Sequence, residues 1–342
     1  MAIEFNTDFE PRYREVVELS PLVRRVVAEN PNPFTFTGTG VYIIGRGDVA
    51  VIDPGPDLDT HLDAVGAALG PDERVSHLLI THTHTDHTAG VESMQSRTDA
   101  PTHGFGPHGL IPEADALDRV SFDEYFTAEE NEAFEKAWAE IPEELKREGP
   151  DADFVPDVVV GDDDVIAGNG WTIEVVHTPG HTSNHVCYGL REESLLFTGD
   201  HVMGWATSVI SPPDGDLFDY LASLEKLLTR DDVRYWPTHG PAIDDPHTYV
   251  RSFIDHRRSR EQQIVDRLAD GPSTIKDLVP GMYHDVDKRL WRAAANSVFS
   301  HLLALQRAGR VTAPGTAAGE PGRSGGVDDR PGTITSRWAL LG

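Results

Sequence analysis

The chain has a single cysteine, Cys187, in 342 residues. No intrachain disulfide framework can form, so a reducing compartment, the cytoplasm, is expected, with Cys187 in its apolar run HVCYGL read as a small core residue. There is no run of about 18 apolar residues, and none is expected to span a membrane. The first 30 residues carry Glu4, Asp8, Glu10, Arg12 and Arg14 in place of an apolar stretch, so a signal peptide is not expected. Basic residues are also scarce. Lys and Arg total 29 against 57 Asp and Glu, a formal charge of −28, and five of the 29 are lysine. Such a surface keeps a protein in solution and repels phosphate backbones. It fits adaptation to high salt, and it also fits a GC-rich coding bias that favours arginine.

The length accommodates one large domain and a small one. GVYIIGRGDVAVIDPG, residues 40–55, reads as two strands around a Gly-Arg-Gly-Asp turn, and Asp59 to Gly70 as an amphipathic helix closed by glycine. VSHLLITHTH is a buried strand, and TAGVESMQSR the next helix. Strand and helix in alternation predict an α/β fold. Residues 113–149 are acidic with helical periodicity and read as an insertion, either a solvated hairpin or a lid. Strands resume in the segment GDDDVIAGNGWTIEVVHTPGH and in SLLFTGDHV and VRYWPTHGP. Beyond about Pro246 helices dominate: one long, one short with Ser273 or Thr274 as N-cap, and one closed by Gly309. TSRWALLG reads as a returning strand, and the Gly/Pro-rich residues 314–332 as a flexible wing. The expected division is residues 1–248 and 249–342.

The chemistry concentrates in ITHTHTDHTAG, residues 80–90. A strand has period two, so His82 and His84 are expected to point to the same side where the strand ends and to meet one cation. Asp86 and His87, at the turn into a helix, can meet a second. Three more potential ligands follow apolar strands: His181 in TPGHTSNH, Asp200 in FTGDHV and His239 in WPTHGP. Five histidines and two aspartates suit two metal ions, each with three N/O ligands and an open position for water.

These motifs, with VIDPG around Asp53, resemble those of the metallo-β-lactamase superfamily over residues of about 35 to 245. The resemblance implies a four-layer αββα sandwich. It implies that His82, His84 and His181 hold a first zinc, that Asp86, His87 and His239 hold a second, and that Asp200 bridges them; iron or manganese could replace zinc. It also makes Asp53 a group that accepts a hydrogen bond from a liganding imidazole. The implied activity is hydrolysis by a metal-activated hydroxide, with Asp86 steering the water or taking its proton as the catalytic residue.

The C-terminal helices and hairpin resemble the winged-helix extension of the β-lactamase-like protein 2 group. That points to a thioester, lactone or similar carbonyl ester as substrate, in the manner of glyoxalase II. The alternative is a single-strand endoribonuclease with the winged helix as grip, for which Arg257, Arg258, Arg260 and Arg267 are the candidate basic face. The net charge disfavours nucleic acid. The loop from His201 to Asp216 is expected to form a pocket wall, with Trp205 either lining it or buried. His185 either touches substrate or supports His181.

Overall fold

The computed structural model describes residues 3–109, 149–284, 291–313 and 332–341, with isolated positions between 127 and 139 and at 288. The insertion expected over 113–149 and the wing over 314–332 lie outside these residues apart from the isolated positions, Gly149 and Gly332.

Two sheets stack face to face. The first holds seven strands in chain order: β1 (Val17–Glu18), β2 (Val23–Val27), β3 (Gly40–Ile44), β4 (Asp48–Ile52), β5 (Arg74–Leu79), β6 (Thr102–Gly104) and β7 (Val158–Val159). The second runs β12 (Arg234–Pro237), β11 (Leu195–Gly199), β10 (Val186–Leu190), β9 (Thr172–His177) and β8 (Val165–Ala167). Strand periodicity sorts their side chains into layers. Tyr42, Ile44, Ala50 and Ile52 point between the sheets, where they meet Val186, Tyr188 and Phe197. Their neighbours Val41, Ile43, Val49 and Val51 point outward, under helices α1 (Asp59–Ala67) and α3 (Val91–Thr98). On the other side Cys187, Leu196 and Tyr235 are covered by α4 (Leu217–Leu227) and the first half of α5 (Pro246–Ala269). The result is helix, sheet, sheet, helix. Because both faces of the central strands are covered, they read as continuous apolar runs.

Two glycines make the close approaches this packing needs. Gly45 sits at φ +91°, and a Cβ there would lie 2.1 Å from Trp171. Gly180, next to His181, sits at φ +139°, and a Cβ would lie 2.5 Å from the Tyr220 backbone nitrogen on α4. Gly180→Ala should therefore cost about 2–3 kcal/mol, read as a lower midpoint in a calorimetric melt. A midpoint within a degree of the parent would contradict the close contact.

The helix expected across residues 88–97 is broken. A short helix, α2 (Thr85–Thr88), precedes α3, and Gly90 between them packs against the Gly55 carbonyl.

The C-terminal unit has its own core of Ile275, Val298, Leu302, Leu305, Val311 and Trp338. It comprises α6 (Ile275–Met282), α7 (Trp291–Arg307) and a small sheet in which β15 (Arg337–Leu340) lies between β13 (Ser273–Thr274) and β14 (Val311–Thr312). Thr274 is the N-cap of α6, in a reciprocal capping box with Asp277. Helix α5 belongs to both cores: Val250, Phe253 and Ile254 pack on the second sheet, and Ile264 and Leu268 on the C-terminal core. The boundary expected at residue 248 falls in its first turn. Among the described residues, no helix is long and apolar enough to cross a membrane.

A candidate metal centre at the strand ends

Four strand ends deliver the polar cluster. The chain leaves β5 at Leu79 and reaches His82, His84, Asp86 and His87; His181 follows β9, Asp200 follows β11, and His239 follows β12. His82 and His84 do face one point, as expected, but strand periodicity is not the cause. β5 ends before both, and His84 is the N-cap of α2. They converge because they offer different atoms. His82 Nε2 lies 3.0 Å from His84 Nδ1, which lies 3.0 Å from His181 Nε2. Three ring nitrogens thus face one point.

The second group is contiguous with the first. His87 Nε2 lies 3.3 Å from Asp86 Oδ2, and His239 Nε2 lies 3.2 Å from that same oxygen. Asp200 stands between the groups. Its Oδ1 is 3.3 Å from His239 Nε2 and 3.7 Å from His87 Nε2, and its Oδ2 is 3.9 Å from His181 Nε2. Within each of three sets the ligand atoms lie within 4.8 Å of one another: His82, His84 and His181; His82, His87 and Asp200; Asp86, His87 and His239.

The outward ring nitrogens are held as a metal ligand requires. His181 Nδ1 bonds the Val209 carbonyl at 2.6 Å, and His239 Nδ1 the Gly38 carbonyl at 3.2 Å. A carbonyl only accepts, so each Nδ1 carries a hydrogen and Nε2 is the atom turned inward. His87 Nδ1 donates to Asp53 Oδ2 at 2.9 Å. Asp53 is fully buried and also accepts from the Thr81 backbone nitrogen and hydroxyl, both at 2.8 Å. Two buried atoms aimed into the cluster, His87 Nε2 and Asp200 Oδ1, have no hydrogen-bond partner among the described residues. Imidazole and carboxylate donors in this arrangement fit divalent ions such as zinc.

Electrostatics divide the cluster into two halves. Burial lowers the proton affinity of His82, His84 and His181, and neighbouring imidazoles lower that of His82 and His84 further; His84 falls to about 3. Burial acts the same way on His87 and His239, but there the carboxylates win. Asp86, Asp53 and Asp200 raise His87 well above its usual value, and Asp200 and Asp86 raise His239 to about 10. Burial favours the neutral acid in Asp86 and Asp200, yet the same histidines hold both below the usual carboxylate range. In the metal-free protein the first group is therefore biased toward neutral imidazoles and the second toward protonated ones. A first ion should bind with almost no proton release. A second should expel more, from His87 and His239, so its affinity should rise with pH. Metal titration in weakly buffered solution measures this; equal proton release in both steps would contradict it.

The structure also places the remaining candidates. His185 is fully buried, with Nδ1 2.9 Å from the Thr178 hydroxyl and Nε2 accepting from the Asp200 backbone nitrogen at 3.2 Å. With both nitrogens engaged it cannot meet a substrate, and of its two expected roles only support remains, directed at Asp200 rather than His181. Trp205 is half-buried and stacks on Phe36 with ring centroids 4.9 Å apart, against Gly240 next to His239. Several supporting groups escaped the sequence reading: Thr81, the Val209 and Gly38 carbonyls, and Thr39, whose hydroxyl donates to Asp86 at 3.4 Å. Thr81 lies inside the ITHTHTDHTAG motif but was passed over between the ligands, Thr39 belongs to no motif, and the carbonyls have no residue-type signal.

Comparison with known proteins agrees with this geometry. The profile of the metallo-beta-lactamase superfamily matches residues 35–239, and that of the beta-lactamase associated winged helix domain matches residues 274–319. The chain is 30% identical over 306 residues to a beta-lactamase-like protein 2 homolog from Drosophila melanogaster, covering 86% of this chain and 91% of that one. It is 27% identical over 291 residues to an atrochrysone carboxyl ACP thioesterase from a Cryptosporiopsis species, covering 80% and 76%. A beta-lactamase domain protein from Burkholderia ambifaria superposes with a TM-score of 0.69 at 18% identity, over 99% of this chain and 97% of that one, a likeness of fold.

Proposed function

Since this chain belongs to the metallo-beta-lactamase superfamily, we propose that it is a binuclear metal-dependent hydrolase of carbonyl esters, with a thioester or lactone as substrate. In this reading His82, His84 and His181 hold one ion, Asp86, His87 and His239 the other, and Asp200 faces both. The observation that carries it is the convergence of these seven side chains from four strand ends, with the outward nitrogens of His87, His181 and His239 already fixed. Zinc is the ion we favour for this donor set. Bound ions would supply a Lewis acid for the ester carbonyl and a water acidified to near neutral pKa.

The chain's own residues do the rest. Asp86 Oδ2 faces His87 and His239 and accepts from Thr39, contacts that fix how its carboxylate is turned beside the proposed second ion. In this reading Asp86 would both ligate the ion and steer the water it activates. Asp86→Asn should lower kcat by more than the fall in bound metal explains; activity lost only in proportion to metal would remove the steering role.

Phe36 and Trp205 form an apolar wall beside His239, suited to the hydrocarbon part of an ester. The thioester choice is supported by relatives named as ACP thioesterases. The ribonuclease alternative is the less supported reading, because Arg257 of its four candidate arginines is buried and the other three, exposed or half-buried, have partners within the protein. Arg257 is buried and donates to the Ser208 carbonyl; Arg258 pairs with Glu225; Arg260 donates to Gln263 and the Met282 carbonyl; Arg267 donates to the Gly281 carbonyl.

A panel of S-acyl thioesters, lactones, a chromogenic β-lactam and labelled single-stranded RNA tests the reading. Thioester or lactone turnover that vanishes in His82→Ala is expected. RNA cleavage that vanishes in His82→Ala, with no ester turnover, would overturn it.

A further inference from the structure

Four consecutive residues, Ser208 to Ser211, lie between the metal centre and the C-terminal unit. On the metal side, the Val209 carbonyl accepts from His181 Nδ1 at 2.6 Å. The Ser208 hydroxyl bridges the carbonyls of Asp200 and His201 at 2.6 and 2.7 Å. On the other side, Ser300 of α7 donates its hydroxyl to the Ile210 carbonyl at 2.6 Å. Asn296, one turn earlier, donates its amide to the Ser211 hydroxyl at 2.7 Å. Arg257 of α5 donates to the Ser208 carbonyl. Asn296, Ser300 and Arg257 are all buried.

From this we infer that Asn296 and Ser300 are positioning residues for the metal ligand His181, and that the winged-helix unit is a structural part of the metal centre. The physical reason is the rigidity of the peptide plane. The Val209 carbonyl fixes which nitrogen of His181 faces inward and at what angle. Its direction is set by the peptide it shares with Ile210, whose own carbonyl is held by Ser300, while Ser211 is held by Asn296. Turning that segment would turn the imidazole. The Val209 side chain is exposed and adds little packing to oppose such a turn. A winged helix that only gripped a partner would not aim two buried polar side chains at this loop.

The inference rests on the metal-centre reading given above, and its test separates the two. Metal-free parent, Ser300→Ala, Ser300→Thr and the double variant Asn296→Ala/Ser300→Ala are each titrated with zinc against a chromophoric chelator. Cobalt(II)-loaded samples give a visible absorption spectrum that reports ligand geometry. The control is Arg310→Ala, whose guanidinium pairs with Glu261 within the C-terminal unit, away from the loop. The double variant should bind its first ion about 10-fold more weakly, the lower end of the effect of groups that orient ligands, with altered cobalt bands. Ser300→Ala, which removes one oxygen, should shift the same way by less, Ser300→Thr should restore binding, and Arg310→Ala should match the parent. Unchanged affinity and bands in both alanine variants, or an equal loss in Arg310→Ala, would overturn the inference alone. A parent that binds no ion would overturn the metal-centre reading and the inference with it.

Discussion

Asp200→Ala should lower kcat/KM by about 10³-fold, equivalent to ~4 kcal/mol, and leave the chain with no more than one tightly held ion. Its two oxygens are what the two halves of the cluster share: Oδ1 faces His87 and His239, and Oδ2 faces His181. Without them nothing draws the halves to a common centre. The second effect is electrostatic. Asp200 is the largest source of the raised proton affinity of His239. In the variant, burial should push that imidazole back toward the neutral form, so a second equivalent of metal should expel fewer protons than in the parent. Steady-state kinetics with metal analysis of the same samples checks the claim. A variant with two ions per chain and more than a tenth of parental activity would contradict it.

The next largest effect is expected at Asp53. Its carboxylate accepts from the Thr81 amide, the Thr81 hydroxyl and His87 Nδ1, all within 2.9 Å. Asp53→Asn keeps the shape but places an amide NH2 where donors already point. One donor must lose its partner in a fully buried site, a cost of about 1–3 kcal/mol to the fold. If that donor is His87 Nδ1, the imidazole is free to rotate. Two consequences for metal oppose each other. Loss of the charge lowers the proton affinity of His87, which favours metal, while loss of orientation and charge weakens the site. Orienting carboxylates are worth about 10–100-fold in metal affinity, and the second consequence should win: weaker second-ion binding with the first ion little changed. Competition with a chelator across pH separates the two steps. Loss of the first ion with retention of the second would show that Asp53 does not act through His87.

The convergence of the seven candidate ligands was legible because each sits in a short motif at a strand end, and apolar runs mark strand ends well. The α/β class was legible for the same reason: Val41 to Ile44 and Val49 to Ile52 announce strands covered on both faces. What was not legible depends on contacts between distant segments. His82 and His84 looked like strand neighbours, but the strand stops at Leu79 and the convergence comes from Nε2 meeting Nδ1. His185, four positions from a ligand, looked like a pocket residue; Thr178 and the Asp200 backbone take both its nitrogens. The arginines of α5 read either as a solvated face paired with acidic neighbours or as a basic grip; Arg258 does pair with Glu225, but Arg257 turns inward to a carbonyl 49 positions away. Ser208 to Ser211 carry no motif, and their importance lies in carbonyl directions that composition does not encode.

The most direct test of the central claim is anomalous diffraction at the zinc edge from crystals of the metal-loaded protein. The account predicts two peaks about 3.5–4 Å apart, one within bonding distance of His82, His84 and His181, the other of Asp86, His87 and His239, with Asp200 reaching both. A single peak, or peaks elsewhere while these seven side chains keep their present contacts, would contradict it.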